Sequence, residues 1–247
     1  MKIIGISGKK QSGKNTMANF INGVVLKKMG AIDDFSISEY GELVIETIVG
    51  ETVEEGVLDV TRKDATFVNY AEVDLWPYVK IYSFADGLKT LCMDFFDLSF
   101  EQVYGTDEQK NTETNVCWSD LPTPNVQIRS KKMTARELLQ YFGTDIMRRM
   151  NTNVWVNHAI RTIKKERSQI AIIPDVRFPN EVSSIKEAGG KVVRLERQFK
   201  EDSHSSECAL DKENYDWNNF DLIIDNSSGG TQEFVDEVAK SIRALEL

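Results

Sequence analysis

Cysteine, proline and histidine are all scarce in this 247-residue chain, at three, five and two residues. The cysteines (Cys92, Cys117, Cys208) are odd in number and far apart. That excludes a disulfide framework and a cysteine-based metal site, and predicts a reducing, cytoplasmic setting. So few prolines among 15 glycines exclude collagen and proline-rich spacers. No run of ~18 apolar residues predicts a membrane helix. The first residues, MKIIGISGKK, hold too short an apolar stretch for a signal peptide. His158 and His204 are the only histidines, and neither is assigned a proton-transfer role. Internal repeats, low-complexity segments and the N-K-x-D base-reading motif of GTPase switches are absent. A net charge of −9 speaks against direct nucleic-acid binding.

What is present, 41% hydrophobic and 28% charged residues, suits a globular protein with a sizeable core. The acidic excess is local. Residues 31–75 hold twelve acidic and two basic residues, which leaves the rest of the chain near neutral. Short apolar runs at Lys2–Ser7, Val79–Phe84, Gln169–Pro174, Lys191–Leu195 and Phe220–Ile224 predict strands. They alternate with helical patterns at 13–29, 85–97, 134–150, 153–167, 180–188 and 231–245. This order predicts an α/β fold with a central parallel sheet flanked by helices. Residues 31–77, with β-prone runs at 42–49, 57–60 and 65–70, are predicted to form an acidic β-rich insertion in one domain spanning 1–247. Thr106–Lys131 is predicted to be irregular.

The sharpest signal follows the first strand. Gly8-Lys9-Lys10-Gln11-Ser12-Gly13-Lys14-Asn15-Thr16 reads G-x-x-x-x-G-K, with Asn15 where Ser or Thr is usual. Glycines let backbone N–H groups curl around phosphate oxygens, and the following helix N-terminus adds positive potential. Lys14 would reach the β- and γ-phosphates, helped by the field of Lys9 and Lys10. Thr16 offers a hydroxyl one position beyond the usual one. A second signal is Asp175, directly after Gln169–Pro174, where a carboxylate at a strand's carboxyl end suits Mg²⁺. Arg177 nearby suits a bidentate grip on phosphate. The competing reading makes Asp175 a helix N-cap and Arg177 a surface residue.

On the helix at 134–150, Arg136, Gln140, Gly143 and Thr144 fall on one face by helical spacing. Leu138, Leu139, Phe142 and Ile146 form a separate apolar arc. The polar stripe is either a ligand face, with Gln140 matching a base edge and Gly143 giving room, or a solvated face with a packing glycine. Trp155 is either core or a stacking platform for a base. Arg194, Arg197 and Lys200 lead into Asp202–Glu207, and either close over phosphates as a lid or form a solvated loop.

Together these segments resemble the phage deoxynucleoside monophosphate kinases of the P-loop kinase superfamily. The matching pieces are GKKQSGKNT (8–16), SFADGLK (83–89), RELLQYFGTD (136–145) with Trp155 following, PDVRFPNE (174–181) and DSHSSE (202–207). They cover most of the chain outside 31–77. The resemblance implies ATP- and Mg²⁺-dependent phosphorylation of deoxynucleoside monophosphates for viral DNA precursor synthesis. It implies donor binding by Gly8, Lys10, Ser12, Gly13, Lys14, Asn15 and Thr16. It implies acceptor binding by Phe84, Arg136, Gln140, Gly143, Thr144 and Trp155. A catalytic charge-handling set of Lys14, Asp175, Arg177, Arg194 and Arg197 follows, with Asn15, Thr16 and Asp175 as metal ligands. The partners implied are ATP and a dNMP, with room for a homodimer. The sequence departs from the family pattern at Asn15, where Asp is common, and at Gly87, where Pro is common.

A monophosphate acceptor is already an anionic nucleophile, its second pKa being ~6. The lack of a convincing catalytic histidine or carboxylate pair therefore agrees with this chemistry. The alternatives are a P-loop kinase acting on a hydroxyl, a nucleotide-binding regulatory protein, or an interaction protein using the acidic face.

Overall fold

The computed structural model describes residues 1–49, 52–121, 131–197, 208–227 and 230–245. The chain divides into two compact units, one of residues 1–83 with 160–247 and one of residues 84–159.

The first unit is built on a five-stranded parallel sheet. Its strands are β1 (Lys2–Gly8), β5 (Val79–Ile81), β8 (Ile170–Val176), β9 (Lys191–Glu196) and β10 (Leu222–Asp225), in the spatial order β10-β9-β1-β8-β5. Side chains of β1 alternate between two buried faces. Ile4 and Ile6 join the core beneath helix α1 (Lys14–Lys28), where Met17, Ile21 and Leu26 are also buried. The opposite face carries Gly5, where an added Cβ would lie 2.7 Å from Ile185 on helix α8 (Pro179–Glu187). The sheet is thus covered on both sides, which explains its unbroken Ile/Val runs. The chain leaving β1 proceeds toward β5, and the chain leaving β8 returns across β1 to β9. Adjacent strands whose connections run in opposite directions form a topological switch point, where open α/β sheets bind ligands at the strands' carboxyl ends.

Helix α1 closes with a Schellman motif. Ala31 N–H donates to Leu26 O (2.9 Å) and Gly30 N–H to Lys27 O (3.1 Å), with Gly30 at φ 71°. Gly23, buried in mid-helix, costs roughly 1 kcal/mol against alanine. Its missing side chain admits the Phe35 ring, which an added Cβ would strike. Phe35 lies on β2 (Asp34–Ile37), which with β3 (Leu43–Val49) and β4 (Thr52–Val57) forms an antiparallel sheet in the order β2-β3-β4. This contact ties the acidic sheet to the main core.

The β reading of 65–70 is corrected. Ala65–Asp74 is helix α2, capped by the Asp64 carboxylate, which accepts from Phe67 N–H at 3.1 Å. Phe67, Ala71 and Leu75 are buried in the same core as α1 and β1. Their i, i+4, i+8 spacing is a helical period that the β-branched and aromatic residues of the segment disguised.

The second unit contains helices α3 (Asp86–Phe96), α4 (Phe100–Tyr104), α5 (Asp107–Lys110) and α6 (Ala135–Gln140). A π-helical run, Tyr141–Arg148, continues α6, and strands β6 (Glu113–Cys117) and β7 (Lys132–Thr134) pair antiparallel. Part of the expected irregular region is therefore regular, while Pro122 and Pro124 lie outside the described residues. Helix α7 (Val154–Glu166) begins in this unit. Cys92, Leu98, Val103, Met133, Ala135 and Leu138 form the core. Burial pushes the Cys92 thiol up to about 11. Gly87, the departure noted above, leaves α3 intact from Asp86 onward. An added Cβ there would lie 2.6 Å from the His158 ring, so the position excludes a larger side chain locally. Helix α9 (Thr231–Ser241) completes the first unit.

Candidate active site

The loop from Gly8 to Lys14 joins β1 to α1 at the switch point. Gln11 and Gly13 adopt left-handed backbone conformations, φ 61° and 94°. Ser12 N–H donates to Lys9 O at 3.2 Å, closing the turn. A side chain at Gly8 would collide with the fully buried Ser12 hydroxyl, and one at Gly13 with Phe234 of α9. The Ser12 hydroxyl itself has no hydrogen-bond partner among the described residues. The first-turn N–H groups of α1 have no intrahelical acceptors, and they carry the positive end of its dipole. Lys14 Nζ lies over the loop, donating to Gly8 O (2.7 Å) and Lys9 O (2.5 Å). A glycine-containing turn leading into a helix N-terminus, with the Lys14 ammonium folded over it, is the kind of backbone arrangement that suits an anion. Lys10 and Asn15 are exposed at the loop. Thr16 turns its hydroxyl to Gly41 in the β2–β3 turn, where an added Cβ would strike it.

Several partners fix the loop from outside. Asn226, after β10, donates its side-chain amide to Ser12 O at 3.0 Å. Arg197 donates to Gln11 O at 2.9 Å, and Lys9 pairs with Asp211 at 3.0 Å. Asn226 and Asp211 escaped the sequence reading. The sequence marks Asn226 only as a polar residue ending a strand, and it gives Asp211 no mark at all.

Asp175 lies within β8, and the N-cap of α8 is Phe178, so the N-cap reading of Asp175 is corrected. Register with β1, Ser7 opposite Val176, sets Asp175 at the carboxyl end of the sheet beside the phosphate loop's strand. Ser83 donates to its Oδ2 at 2.6 Å. The turn that follows is held by Glu181, only 2% exposed, whose Oε2 accepts from Arg177 N–H (2.7 Å) and Phe178 N–H (3.1 Å). Glu181 thereby fixes the backbone that presents the exposed Arg177.

Arg194 departs from its expected place in a lid. It is a residue of β9, 4% exposed, donating to Ser7 Oγ (3.0 Å) and Asp211 Oδ1 (3.1 Å), with its guanidinium 5.0 Å from the Trp217 ring centre. The strand continues to Glu196 and is buried on both faces from Val192 to Leu195, so this cation lies in the interior whichever face it takes. Arg197 is exposed at the loop. Lys200 and Asp202–Glu207 lie outside the described residues.

In the second unit the predicted stripe divides. Gln140 and Thr144 are exposed, and Arg136 is partly exposed, donating to Asp107 at 2.6 Å. Gly143 is buried, and an added Cβ would lie 2.6 Å from Leu88 Cδ2. Trp155 is 5% exposed and donates its indole N–H to Gly143 O at 3.1 Å, which corrects the stacking reading in favour of core. Phe84 is buried as well, at 4% exposure. Gly143→Leu is therefore expected to lower the thermal midpoint by overpacking against Leu88, at a cost of about 1–3 kcal/mol. An unchanged melting curve would return Gly143 to an open face.

The sequence pattern of the deoxynucleotide monophosphate kinases matches residues 80–234. The chain belongs to this family. The match takes in Asp175, Arg177 and the 136–144 stripe, and the phosphate loop lies upstream of it. A protein of Acanthamoeba polyphaga mimivirus, provisionally named a deoxynucleotide monophosphate kinase, is 31% identical over 174 residues, 65% of this chain and 81% of its own. The deoxynucleotide monophosphate kinase of Enterobacteria phage T4 is 24% identical over 255 residues, spanning 99% of this chain and all of its own. Membership makes the protein a phosphotransferase acting in nucleotide metabolism, with a nucleotide as phosphate donor. No helix among the described residues is long and apolar enough to cross a membrane.

Proposed function

We propose that the protein transfers the γ-phosphoryl group of ATP to the 5′-phosphate of a deoxynucleoside monophosphate, with Mg²⁺, giving ADP and the diphosphate. The observation that carries this reading is the glycine-bounded loop at the N-terminus of α1 with the Lys14 ammonium folded over it. An oxygen of the acceptor phosphate attacks the γ-phosphorus, and the bond to the ADP oxygen breaks. Since that oxygen is already ionised at neutral pH, catalysis rests on positioning and charge neutralisation.

Gly8, Lys10, Ser12, Gly13, Lys14 and Asn15 are assigned to the donor phosphates, with Lys14 neutralising charge on the γ-phosphate. Arg177 and Arg197 supply further cations. Arg194 leaves the catalytic set and supports the loop through Asp211. Mg²⁺ fits the oxygen donors present. It takes few protein carboxylates and keeps waters, and Asp175 stands at the strand end with its orientation fixed by Ser83. Asp175, Asn15 and Thr16 would hold the ion. When bound, the ion neutralises charge on the transferring phosphates. Arg136, Gln140 and Thr144 are assigned to the acceptor, in a nucleotide-supply role for viral DNA synthesis in the host cytoplasm.

The test is a coupled assay over all deoxy- and ribonucleoside monophosphates with ATP and Mg²⁺. Turnover is expected with one or more dNMPs and to cease with EDTA. Gln140→Ala is expected to reorder the dNMPs, because an unpaired base edge costs about 1–3 kcal/mol. Turnover with nucleosides in place of monophosphates would replace this reading with a hydroxyl kinase.

A further inference from the structure

We propose that Asn226 is a positioning residue that sets the peptide plane between Ser12 and Gly13, and through it the affinity of the phosphate loop for its anion. The proposal rests on the donor assignment above and goes beyond it, since no motif used to recognise the loop contains Asn226. Its backbone is fixed, because Asn226 N–H donates to Glu196 O at 2.7 Å and ties the end of β10 to β9. Its side chain is 7% exposed and donates from Nδ2 to Ser12 O at 3.0 Å. The partner decides the amide's orientation, since only its nitrogen can donate to a carbonyl.

The consequence follows from the planarity of the trans peptide. The oxygen of Ser12 and the N–H of Gly13 point to opposite sides of one rigid unit. Holding Ser12 O outward against Asn226 aims Gly13 N–H the other way. A flip of this plane would exchange an N–H for a carbonyl oxygen, which repels phosphate. Gly13 makes the contact feasible. At φ 94°, an added Cβ would lie 3.0 Å from Asn226 Nδ2 and 2.8 Å from Phe234. The glycine therefore serves the clamp as well as the turn.

Asn226→Asp preserves shape and replaces the donor by a carboxylate that repels Ser12 O. Asn226→Ala removes the clamp without repulsion. Equilibrium titration with a fluorescent ATP analogue should show the dissociation constant rising about tenfold or more in Asn226→Asp, and less in Asn226→Ala. The KM for dNMP should stay within twofold. Hydrogen exchange without nucleotide should quicken at residues 9–13 and be unchanged in β1 and mid-α1. The proposal is overturned if either folded variant binds donor within twofold of wild type, if exchange quickens throughout the unit, or if neither variant folds. A wild type that binds no ATP would end the donor assignment, while the exchange arm would still decide whether Asn226 holds the loop.

Discussion

Lys14→Met is expected to lower kcat about 10²–10³-fold, equivalent to roughly 3–4 kcal/mol of transition-state stabilisation. The ammonium is the loop's own cation folded back onto its backbone, bonded to the Gly8 and Lys9 carbonyls. Charge on the transferring group is greatest where such a cation acts, so its removal weakens the transition state more than donor binding. Lys14 is partly exposed, so water can satisfy both carbonyls in the variant and the fold should hold. Circular dichroism and a thermal melt matching wild type, together with the fall in kcat, complete the expected result. Near-normal kcat would remove the loop from the chemistry.

Asp211→Ala is expected to cost about 1.5–3 kcal/mol of stability, the usual worth of a hydrogen bond between charged groups, because it removes a carboxylate shared by two cations. Asp211 holds two cations, Arg194 at 3.1 Å and Lys9 at 3.0 Å. Arg194 is 4% exposed and stays protonated at any working pH. The urea midpoint should fall accordingly, and Arg194→Met introduced with Asp211→Ala should recover much of the loss. A single-variant loss under ~1 kcal/mol would mean that Arg194 is compensated elsewhere. Because Lys9 belongs to the phosphate loop, donor affinity should fall alongside stability.

These two residues mark where sequence reasoning succeeded and where it stopped. Lys14 was legible because its chemistry is local. Strand, glycine spacing, lysine and helix are contiguous, and the structure builds the loop from them in that order. The parallel sheet was legible for a similar reason, since strands buried on both faces leave continuous apolar runs. The place of Arg194 is hidden in the sequence because β9 is buried on both faces, and the anion that meets its guanidinium there, Asp211, lies 17 positions away. Asp211 and Asn226 were missed because their partners lie 202 and 214 positions away in sequence, at Lys9 and Ser12. Ala65–Asp74 was misread because its residues favour strands, and burial of Phe67 and Ala71 against the core outweighs that preference. The π-helical turn at Tyr141–Arg148 has no sequence mark of its own, and neither has the packing of Gly143 against Leu88 on a different element.

The central claim, that the loop delivers a phosphoryl group to a nucleotide monophosphate, is tested most directly by following the label from [γ-³²P]ATP. Wild-type protein with Mg²⁺ and the four dNMPs should move label into deoxynucleoside diphosphate, one for each ATP consumed, and Lys14→Met should show almost none. Label released as inorganic phosphate at the same rate with and without dNMP would contradict the account.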